Sequence, residues 1–415
     1  MTPAALKACP ATAGFFFDPG NPPAVVLGGI NVVRSAGLAG IPVIVAASDP
    51  AEPAFASRYC SARYLLPPLA DEAGVVASLE RLAAPFAMRL PLIFGNDDYL
   101  RIIYARRERL ERRFLMLLND PPVAAALIDK EAFARFARER GLPVPRGLRW
   151  DALAGTAGPV LIKPKVKFEW ESSPVLAQLF EGAGKAIVRP SGAAVVADEA
   201  IARFRDQLLF QEYIPGGDDA LWCFDGVADE RGVLLASYVG RKIRSWPPRT
   251  GDASYIELVH DAGVHALGRR VAEAAGLKGI FNVDLKRDPR DGSLRVLEIN
   301  ARYNFWLYLG AMNGLNLTGV MVDYLVARKH PTRLDYSTTY RWLDPELDLR
   351  AYRSLARAGE LTFARWIASL LFARKIYSVF SWSDPAPFVQ AWGERIARRW
   401  ARGTRRLRQM LSKSS

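Results

Sequence analysis

Four side chains between residues 284 and 302 are of the types that bind a metal ion and an anion. They are Asp284, Glu298, Asn300 and Arg302. Side chains alternate between the two faces of a strand, so Glu298 and Asn300 face the same way, and Arg302 joins them if the strand continues. Carboxylate and amide oxygens suit magnesium held against nucleotide phosphates, and a guanidinium can bind an anion. The pattern predicts a site for a divalent cation and a phosphate-bearing ligand.

The same segment carries the signals of a β-hairpin, which decides whether these groups meet. Residues 280–286 and 294–300 predict two strands, and residues 288–292 predict the turn between them. Asp284 and Glu298 are equally far from Asp291 in that turn, so antiparallel pairing brings their carboxylates together. The alternative is an ordinary hairpin with its polar side chains in solvent, and the spacing alone leaves both interpretations open.

This pattern, an aspartate followed after thirteen residues by Glu-x-Asn-x-Arg, resembles the metal-binding end of the ATP-grasp family. Three further segments are similar to landmarks of that family and occur in its order. They are the helix that starts at Asp129 and Lys130 and ends at Gly141, the lysine-bearing strand 160–164, and the adenine hinge 211–216. The match covers roughly residues 24–325, and the order and spacing of the motifs carry it together.

The resemblance implies an α/β (α+β) ATP-grasp fold. It has a Rossmann-like domain with a parallel sheet, two nucleotide-clamping subdomains with antiparallel sheets, and a helical C-terminal extension. The expected domains are an N-terminal domain at 1–119, a lid subdomain at 120–205, a metal-bearing subdomain at 206–330 and the extension at 331–415. The β, α, β order over residues 24–46 itself predicts a parallel sheet, and residues 99–118 predict one long helix.

The resemblance also implies a set of nucleotide contacts. Lys130 and Lys163 are expected to neutralise phosphate oxygens, Gln211, Glu212, Tyr213 and Ile214 to face the adenine, and Asp218 to reach the ribose hydroxyls. The residues alone also allow Lys130 to be a surface lysine near a helix cap and Asp218 to lie in a simple turn. Residues 165–173 depart from the family pattern because the expected phosphate-covering loop contains no glycine.

Three cations and two polar residues complete the candidate site. Arg241 and Lys242 are adjacent on a predicted strand and cannot face the same way, so one of them is expected to meet the phosphates or the anionic intermediate. Lys242 is favoured for this role and Arg241 is retained as a candidate. Arg302 is expected to steady the transferring phosphoryl group. Asn96 and Asp98 follow a predicted strand and are candidates for either substrate contact or helix capping.

The activity implied by the resemblance is an ATP-dependent ligation that joins a carboxylate to an amine through an acyl phosphate. The cofactors are ATP and Mg²⁺ (or Mn²⁺), with Asp284, Glu298 and Asn300 as metal ligands. Two alternatives stay open: an ATP-grasp kinase, and a nucleotide-binding module peripheral to a membrane that catalyses no turnover. The expected partners are ATP and a small-molecule carboxylate and amine.

Composition excludes several other classes of function. The 415 residues are 50% hydrophobic, with three cysteines and three histidines, too few and too scattered for a disulfide framework, a zinc site or a Ser-His-Asp triad. The sequence contains no unbroken apolar stretch of eighteen residues and no signal-peptide pattern at its start, so we expect a cytoplasmic protein.

The net charge of +13 is concentrated after Arg395, where arginines alternate with apolar residues. A solvated, frayed terminus is the simplest interpretation of such a segment. Binding to an anionic membrane surface, which would make the protein peripheral to the inner face of the membrane, is the second interpretation, and nucleic-acid binding is the least favoured of the three.

Overall fold

The computed structural model describes residue 18 and residues 20–165, 179–180 and 186–395. Its first unit is a five-stranded parallel sheet with strand order β3-β2-β1-β4-β5. The strands are β1 (Ala24–Leu27), β2 (Val43–Ala47), β3 (Cys60–Leu65), β4 (Leu90–Phe94) and β5 (Phe114–Leu115). The helices are α1 (Ile30–Leu38), α2 (Glu72–Ala83), α3 (Asp97–Ala105) and α4 (Arg107–Glu111). The parallel sheet predicted from the β, α, β order is confirmed.

The prediction of one helix over residues 99–118 is wrong. Two short helices, α3 and α4, are separated at Arg106, and the chain then enters β5. Phe114 is fully buried and pairs with Leu90 of β4, so its tertiary contacts override the local helical preference. Asn96 caps α3 through an N–H···O bond from Tyr99 of 2.8 Å, which confirms the capping interpretation for this residue.

The second unit is a four-stranded sheet of order β6-β9-β7-β8, in which neighbouring strands are antiparallel. Its strands are β6 (Gly147–Leu148), β7 (Val160–Pro164), β8 (Ile187–Arg189) and β9 (Leu208–Glu212). Helices α5 (Pro121–Ile128) and α6 (Lys130–Glu139) precede it in the chain and pack in the core that contains Phe281, whereas α7 (Gly192–Val196) and α8 (Glu199–Arg203) pack against the four-stranded sheet itself. Asp129 caps α6 at the predicted start, and Gly141 follows its end with a positive φ of 64°.

The third unit is a seven-stranded sheet with strand order β14-β13-β10-β11-β12-β15-β16. Its strands are β10 (Leu221–Ala228), β11 (Leu234–Trp246), β12 (Asp252–Val259), β13 (Gly279–Arg287), β14 (Leu294–Asn300), β15 (Tyr340–Leu343) and β16 (Arg374–Tyr377). Helices α9 (Ala262–Ala275), α10 (Tyr308–Met312), α11 (Leu317–Ala327), α12 (Pro345–Arg357) and α13 (Phe363–Leu371) pack around it. The hairpin β13–β14 has the predicted register, with Asp284 opposite Glu298.

The segment after residue 331 is not purely helical, which corrects that detail of the expected architecture. Strand β15 pairs with β12, and β16 pairs with β15 in parallel, so this segment extends the sheet that carries the hairpin. Helices α12 and α13 agree with the helical part of that expectation. Within the described part of the chain, no helix is both long and apolar enough to cross a membrane.

One apolar core joins the parallel sheet to the seven-stranded sheet. It contains Val33 of α1, Tyr238 of β11 and Leu317 of α11, all buried. A second core fills the opposite face of the seven-stranded sheet, where Val271 of α9 packs with Phe281 of β13. The two cores fix the hairpin β13–β14 against the parallel-sheet domain, and this is the arrangement that the candidate site requires.

Candidate active site

A cleft of about 830 Å³, including its open mouth, lies between the four-stranded and seven-stranded sheets. Ligand-binding clefts commonly have volumes of about 300–1,000 Å³. Its lining residues come from β7, the end of β9, β11, the turn before β12, and the hairpin β13–β14. The sequence-predicted residues among them are Lys130, Lys163, Glu212, Tyr213, Ile214, Lys242, Asp284 and Glu298.

The metal-type side chains converge at one end of this cleft. Because Asp284 and Glu298 are opposite each other in the hairpin, their carboxylates are neighbours on the same face. The amide nitrogen of Asn300 lies 3.4 Å from Asp284 Oδ2 and 3.3 Å from Glu298 Oε1. The three side chains are therefore close enough to act on one ligand, and the two carboxylates face the cleft.

Lys242 balances part of the negative charge of this group. Its Nζ lies 3.8 Å from Asp284 Oδ1 and donates to the carbonyl oxygen of Gly251 at 3.3 Å. Burial is the largest single influence and would lower the pKa of Lys242, but the combined attraction of the surrounding acidic groups, led by Asp284, raises that pKa above its ordinary value. Burial and repulsion from Glu298 raise the pKa of Asp284, with Lys242 opposing them. One ammonium thus lies beside two neighbouring carboxylates that repel each other.

The lysines on the opposite wall come from α6 and β7. Lys130 Nζ donates to the carbonyl oxygen of Pro164 at 3.1 Å, which draws its side chain across to β7 rather than into solvent. Lys163, one residue earlier on β7, is half-buried and lines the cleft. The structure brings these two cations to the same cleft as the carboxylates of the hairpin.

Three of the four predicted hinge residues line the cleft. Glu212 closes β9, and its Oε1 accepts the N–H of Arg146 at 2.9 Å. Tyr213 and Ile214 follow in extended chain and form an apolar wall. Gln211 does not line the cleft. Strand β9 lies between β6 and β7, and side chains alternate along it, so the buried side chain of Gln211 is on the face opposite that of Glu212.

Asp218 also lies outside the cleft lining, although it shapes the cleft wall. Its carboxylate accepts hydrogen bonds from the backbone and hydroxyl of Ser245, at 2.9 and 2.6 Å, and from the backbone N–H of Arg249 at 2.5 Å. These bonds hold the turn that carries Arg249, Thr250 and Gly251 into the cleft. In this structure the carboxylate of Asp218, which was predicted to reach the ribose hydroxyls, is hydrogen-bonded to groups of the protein.

Arg241 and Lys242 face opposite sides of β11, as the alternation predicted. The guanidinium of Arg241 donates to Glu257 Oε1 at 2.5 and 3.1 Å and lies 5.7 Å from the ring centroid of Trp222. Glu257 is buried and is also paired with Arg341 at 2.7 Å. Arg241 is therefore part of an ion-pair network on the other face of the sheet, and of this pair only Lys242 reaches the cleft.

Arg302 lies where the hairpin meets the parallel-sheet domain. Its guanidinium contacts the carboxylate of Asp97, at the start of α3, and its Nη2 lies 3.4 Å from Asn300 Oδ1. Burial is the largest single influence and would lower the pKa of Arg302, but the charge and hydrogen bond of Asp97, together with the charges of Glu298 and Asp252, raise that pKa. Asn96, Asp97 and Asp98 follow the carboxyl end of β4, where open parallel sheets bind ligands. Arg302 thus connects this edge to the metal-type group.

Lys286 is a cleft residue that the sequence analysis missed. It lies two residues after Asp284 on β13, so strand alternation places both side chains on one face, and this was the signal that could have found it. The residue is 3% exposed, and its Nζ lies 5.0 Å from the ring centroid of Tyr213. Among the described residues the ammonium has no hydrogen-bond acceptor within range, and burial lowers the pKa of Lys286 to about 8.

The side chains at the hairpin fit a magnesium ion better than a metal with a complete protein cage. Among residues 20–165, 179–180 and 186–395, no three His, Cys, Asp or Glu side chains form a metal-binding group. The hairpin supplies two carboxylates and one amide, and magnesium is commonly bound by one or two carboxylates, with phosphates and water as the remaining ligands. The repulsion between the carboxylates of Asp284 and Glu298 agrees with this choice, because a divalent cation would relieve it.

Two sequence predictions lie wholly or mainly outside the described residues. They are the phosphate-covering segment 165–173, of which only Lys165 is described, and the basic segment that follows Arg395. Lys165 forms an ion pair of 2.9 Å with Glu131 of α6.

Comparison with known proteins shows which families and proteins this chain resembles. Residues 204–344 match a family described as ATP-grasp in the biosynthetic pathway with Ter operon. A D-aspartate ligase from Enterococcus faecium is 25% identical over 262 residues, which are 60% of this chain and 61% of that protein. The chain thus spans less than two thirds of this relative's length.

Solved structures show the same fold at low sequence identity. An L-amino acid ligase from Bacillus licheniformis matches with a TM-score of 0.53 and 15% identity over 74% of each chain. The N5-carboxyaminoimidazole synthetase of Staphylococcus aureus, in complex with ADP, matches with a TM-score of 0.54 and 11% identity, over 76% of this chain and 80% of that one. With the hairpin, hinge and lysines described above, these matches show that the chain has the ATP-grasp fold, and its residues 204–344 match an ATP-grasp family.

Proposed function

We propose that this protein is an ATP- and Mg²⁺-dependent ligase that joins a carboxylate to an amine through an acyl phosphate. One observation carries the proposal: Asp284 and Glu298 line the same cleft as Lys130, Lys163 and Lys242. Opposed clusters of carboxylates and ammonium groups suit a metal-bound triphosphate, whose charge must be neutralised from both sides. The relatives support ligation because two of them are amino acid ligases by name.

The nucleotide lies in our proposal with its base against the apolar wall and its phosphates toward the hairpin. Tyr213, Ile214 and Leu221 offer the base an apolar surface, and the chain after β9 offers backbone groups to its edge. Lys286 supplies a cation at this end of the cleft, beside Tyr213. The triphosphate then extends toward Lys163, Lys130 and Lys242, and the metal ligands Asp284, Glu298 and Asn300 lie beyond it.

The chemistry follows from the charges in the cleft. A carboxylate oxygen of one substrate attacks the γ-phosphorus, the bond to the β-phosphate oxygen breaks, and ADP leaves with that electron pair. The amine of the second substrate then attacks the acyl carbon, phosphate leaves, and the amine loses a proton. Magnesium, when bound, would screen the phosphate charge that repels the incoming carboxylate. Lys130, Lys163 and Lys242 hold the phosphate oxygens, so positioning and electrostatics supply the rate.

In this proposal Arg302 binds the reacting anion. It lies between the metal-type group and the carboxyl edge of the parallel sheet, so its guanidinium can bind a phosphoryl oxygen or a substrate carboxylate. Asp97 orients that guanidinium from the other side. The acidic residues at the start of α3 also give an approaching ammonium group a favourable field, which fits an amino acid as the amine substrate.

The test measures ADP and phosphate separately, with purified full-length protein, ATP, magnesium and a panel of amino acids and carboxylates that includes D-aspartate. Ligation predicts that ADP and phosphate appear in equal amounts only when a suitable carboxylate and amine are both present. Release of ADP without phosphate would indicate a kinase instead. If neither product forms with any pair while ADP still binds, the non-catalytic nucleotide-binding module is the better description.

A further inference from the structure

The last described segment carries a cluster of exposed aromatic and aliphatic side chains, here called the aromatic platform. It consists of Phe380, Trp382, Phe388, Val389 and Trp392. Phe380 contacts Trp382 and Phe388, with ring centroids 4.8 and 5.3 Å apart, and Phe388 contacts Trp392 at 5.9 Å. The four rings therefore form one continuous surface that spans the loop around residue 382 and the helical residues 386–395.

The outer members of the platform are turned to solvent. Trp382 is 88% exposed, Val389 66% and Trp392 52%. Single exposed apolar residues are common on soluble proteins, but two indoles and a valine joined by packed phenylalanines make a contiguous apolar surface, and such surfaces mark interaction sites. Tryptophan exposed in this way is enriched at the level of lipid headgroups, because its ring is apolar while its N–H remains hydrated.

The platform is rigidly attached to the rest of the protein. Asp384, in the loop between Trp382 and Phe388, is buried and pairs with the fully buried Arg34 of α1 at 3.0 Å. The same carboxylate accepts the hydroxyl of Ser57 at 2.7 Å and the backbone N–H of Arg58 at 2.8 Å. Arg34 also donates to the carbonyl oxygens of Val379 and Asp384. A surface held this firmly is presented in one orientation, unlike a frayed terminus.

The sequence adjoining the platform determines which partner fits it. Residues 396–415 contain six arginines and one lysine and no acidic residue, and they directly follow the helical residues that carry Trp392. A partner must therefore offer an apolar layer to the rings and negative charge beside it. An anionic lipid surface offers both, since its headgroup region accepts indole rings and its phosphates attract basic segments. Val389 adds aliphatic surface, which suits lipid more than the stacked bases of a nucleic acid.

We propose that the aromatic platform docks this protein on an anionic lipid bilayer. The inference is independent of the reaction in the cleft, because none of the platform residues lines that cleft.

Vesicle flotation with the full-length protein tests the proposal. Vesicles of equal parts phosphatidylcholine and phosphatidylglycerol are compared with vesicles of phosphatidylcholine alone. We expect binding to the anionic vesicles, a blue shift of tryptophan fluorescence on binding, and weaker binding at high salt. The double variant Trp382→Ser/Trp392→Ser should lower the partition coefficient about tenfold or more, because it removes most of the exposed aromatic surface.

A control variant and four outcomes that would overturn the proposal make the result decisive. Leu334→Ser removes an exposed apolar side chain that lies outside the platform and should leave flotation unchanged. The proposal is overturned if the wild type fails to float with anionic vesicles or if the double variant floats equally well. It is also overturned if the wild type instead forms a dimer in light scattering that the double variant loses, since the platform would then contact a second copy. Selective retention on nucleic acid, with no flotation, overturns it in favour of that partner.

Discussion

Arg302 and Asp97 are 205 residues apart in the sequence, and their side chains contact each other where the hairpin meets the parallel-sheet domain. The contact links the edge of the parallel sheet, where ligands bind in open α/β folds, to the group that we propose to hold magnesium. The proposed phosphoryl-transfer site and the proposed amine site are thus adjacent, as the second step of a ligation requires.

Arg302→Lys tests whether the guanidinium acts on a reacting group. Lysine keeps the charge but loses the planar fork that binds two oxygens at once, so we expect kcat to fall about a hundredfold while the KM for ATP changes little. Steady-state kinetics of ADP release measure both quantities. Arg295→Lys, on the same strand but away from the cleft, is the control and should behave as wild type. An unchanged kcat in Arg302→Lys would exclude the assigned role.

Asp284→Asn and Glu298→Gln test the metal ligands. Each variant keeps the side-chain shape but removes a charge from the pair, so we expect at least a hundredfold loss of ADP release and a higher magnesium requirement. Magnesium titration at fixed ATP gives the second readout. Asp291→Asn, in the exposed turn of the same hairpin, is the matched control. Removal of magnesium with EDTA should abolish the activity of the wild type, and readdition of magnesium should restore it.

Lys286→Met separates a ligand-binding lysine from a structural one. The wild-type cation is buried with no acceptor among the described residues, so its replacement by a neutral chain of similar length should raise the free energy of unfolding by roughly 2 kcal/mol. The same change should weaken ADP binding about tenfold, because a charged hydrogen-bond donor is lost. Thermal unfolding and calorimetric titration measure the two effects.

We therefore expect Lys286→Met to raise the free energy of unfolding and to lower the affinity for ADP. If Lys286→Met destabilises the protein and leaves ADP affinity unchanged, Lys286 has a structural role only. Lys329→Met, an exposed lysine beyond α11, should change neither quantity and controls for the loss of one positive charge.

Arg34→Met tests the buried ion pair under the aromatic platform. Removal of the guanidinium leaves Asp384 charged in a buried site, so we expect a loss of about 3–5 kcal/mol in the free energy of unfolding by urea. Arg34→Met combined with Asp384→Leu should cost less than the sum of the two single changes, because no unpaired charge remains. Arg101→Met breaks an exposed pair with Glu72 and should cost about 1 kcal/mol or less. Additive losses would show that the pair is not coupled.

The site could be predicted where it depends on local rules. The register of Asp284 and Glu298 follows from one short hairpin, and the opposite facing of Arg241 and Lys242 follows from strand alternation. The same rule applied two residues beyond Asp284 would have identified Lys286. The domain order followed from the resemblance, because the motifs occur along the chain in the sequence in which the fold uses them.

Contacts between distant segments could not be predicted from the sequence. Asp218 binds Ser245 and Arg249 because the turn before β12 folds back onto it, and no local signal in either segment indicates this. Phe114 lies in strand β5 rather than in the predicted helix because it pairs with Leu90 of another strand in a buried position. The same holds for β15 and β16, whose place at the edge of the sheet depends on pairing with β12.

The pairing of Arg34 with Asp384 has a consequence for how the chain acquires its structure. A fully buried guanidinium needs its counter-charge, and here that charge lies 350 positions later. Synthesis proceeds from the N-terminus, so Arg34 in the first helix has no counter-charge until nearly all of the remaining chain has been made. The parallel sheet can form early, but it becomes fully stable only when the chain returns to it. Any shortened version that stops before residue 384 should therefore be prone to aggregation.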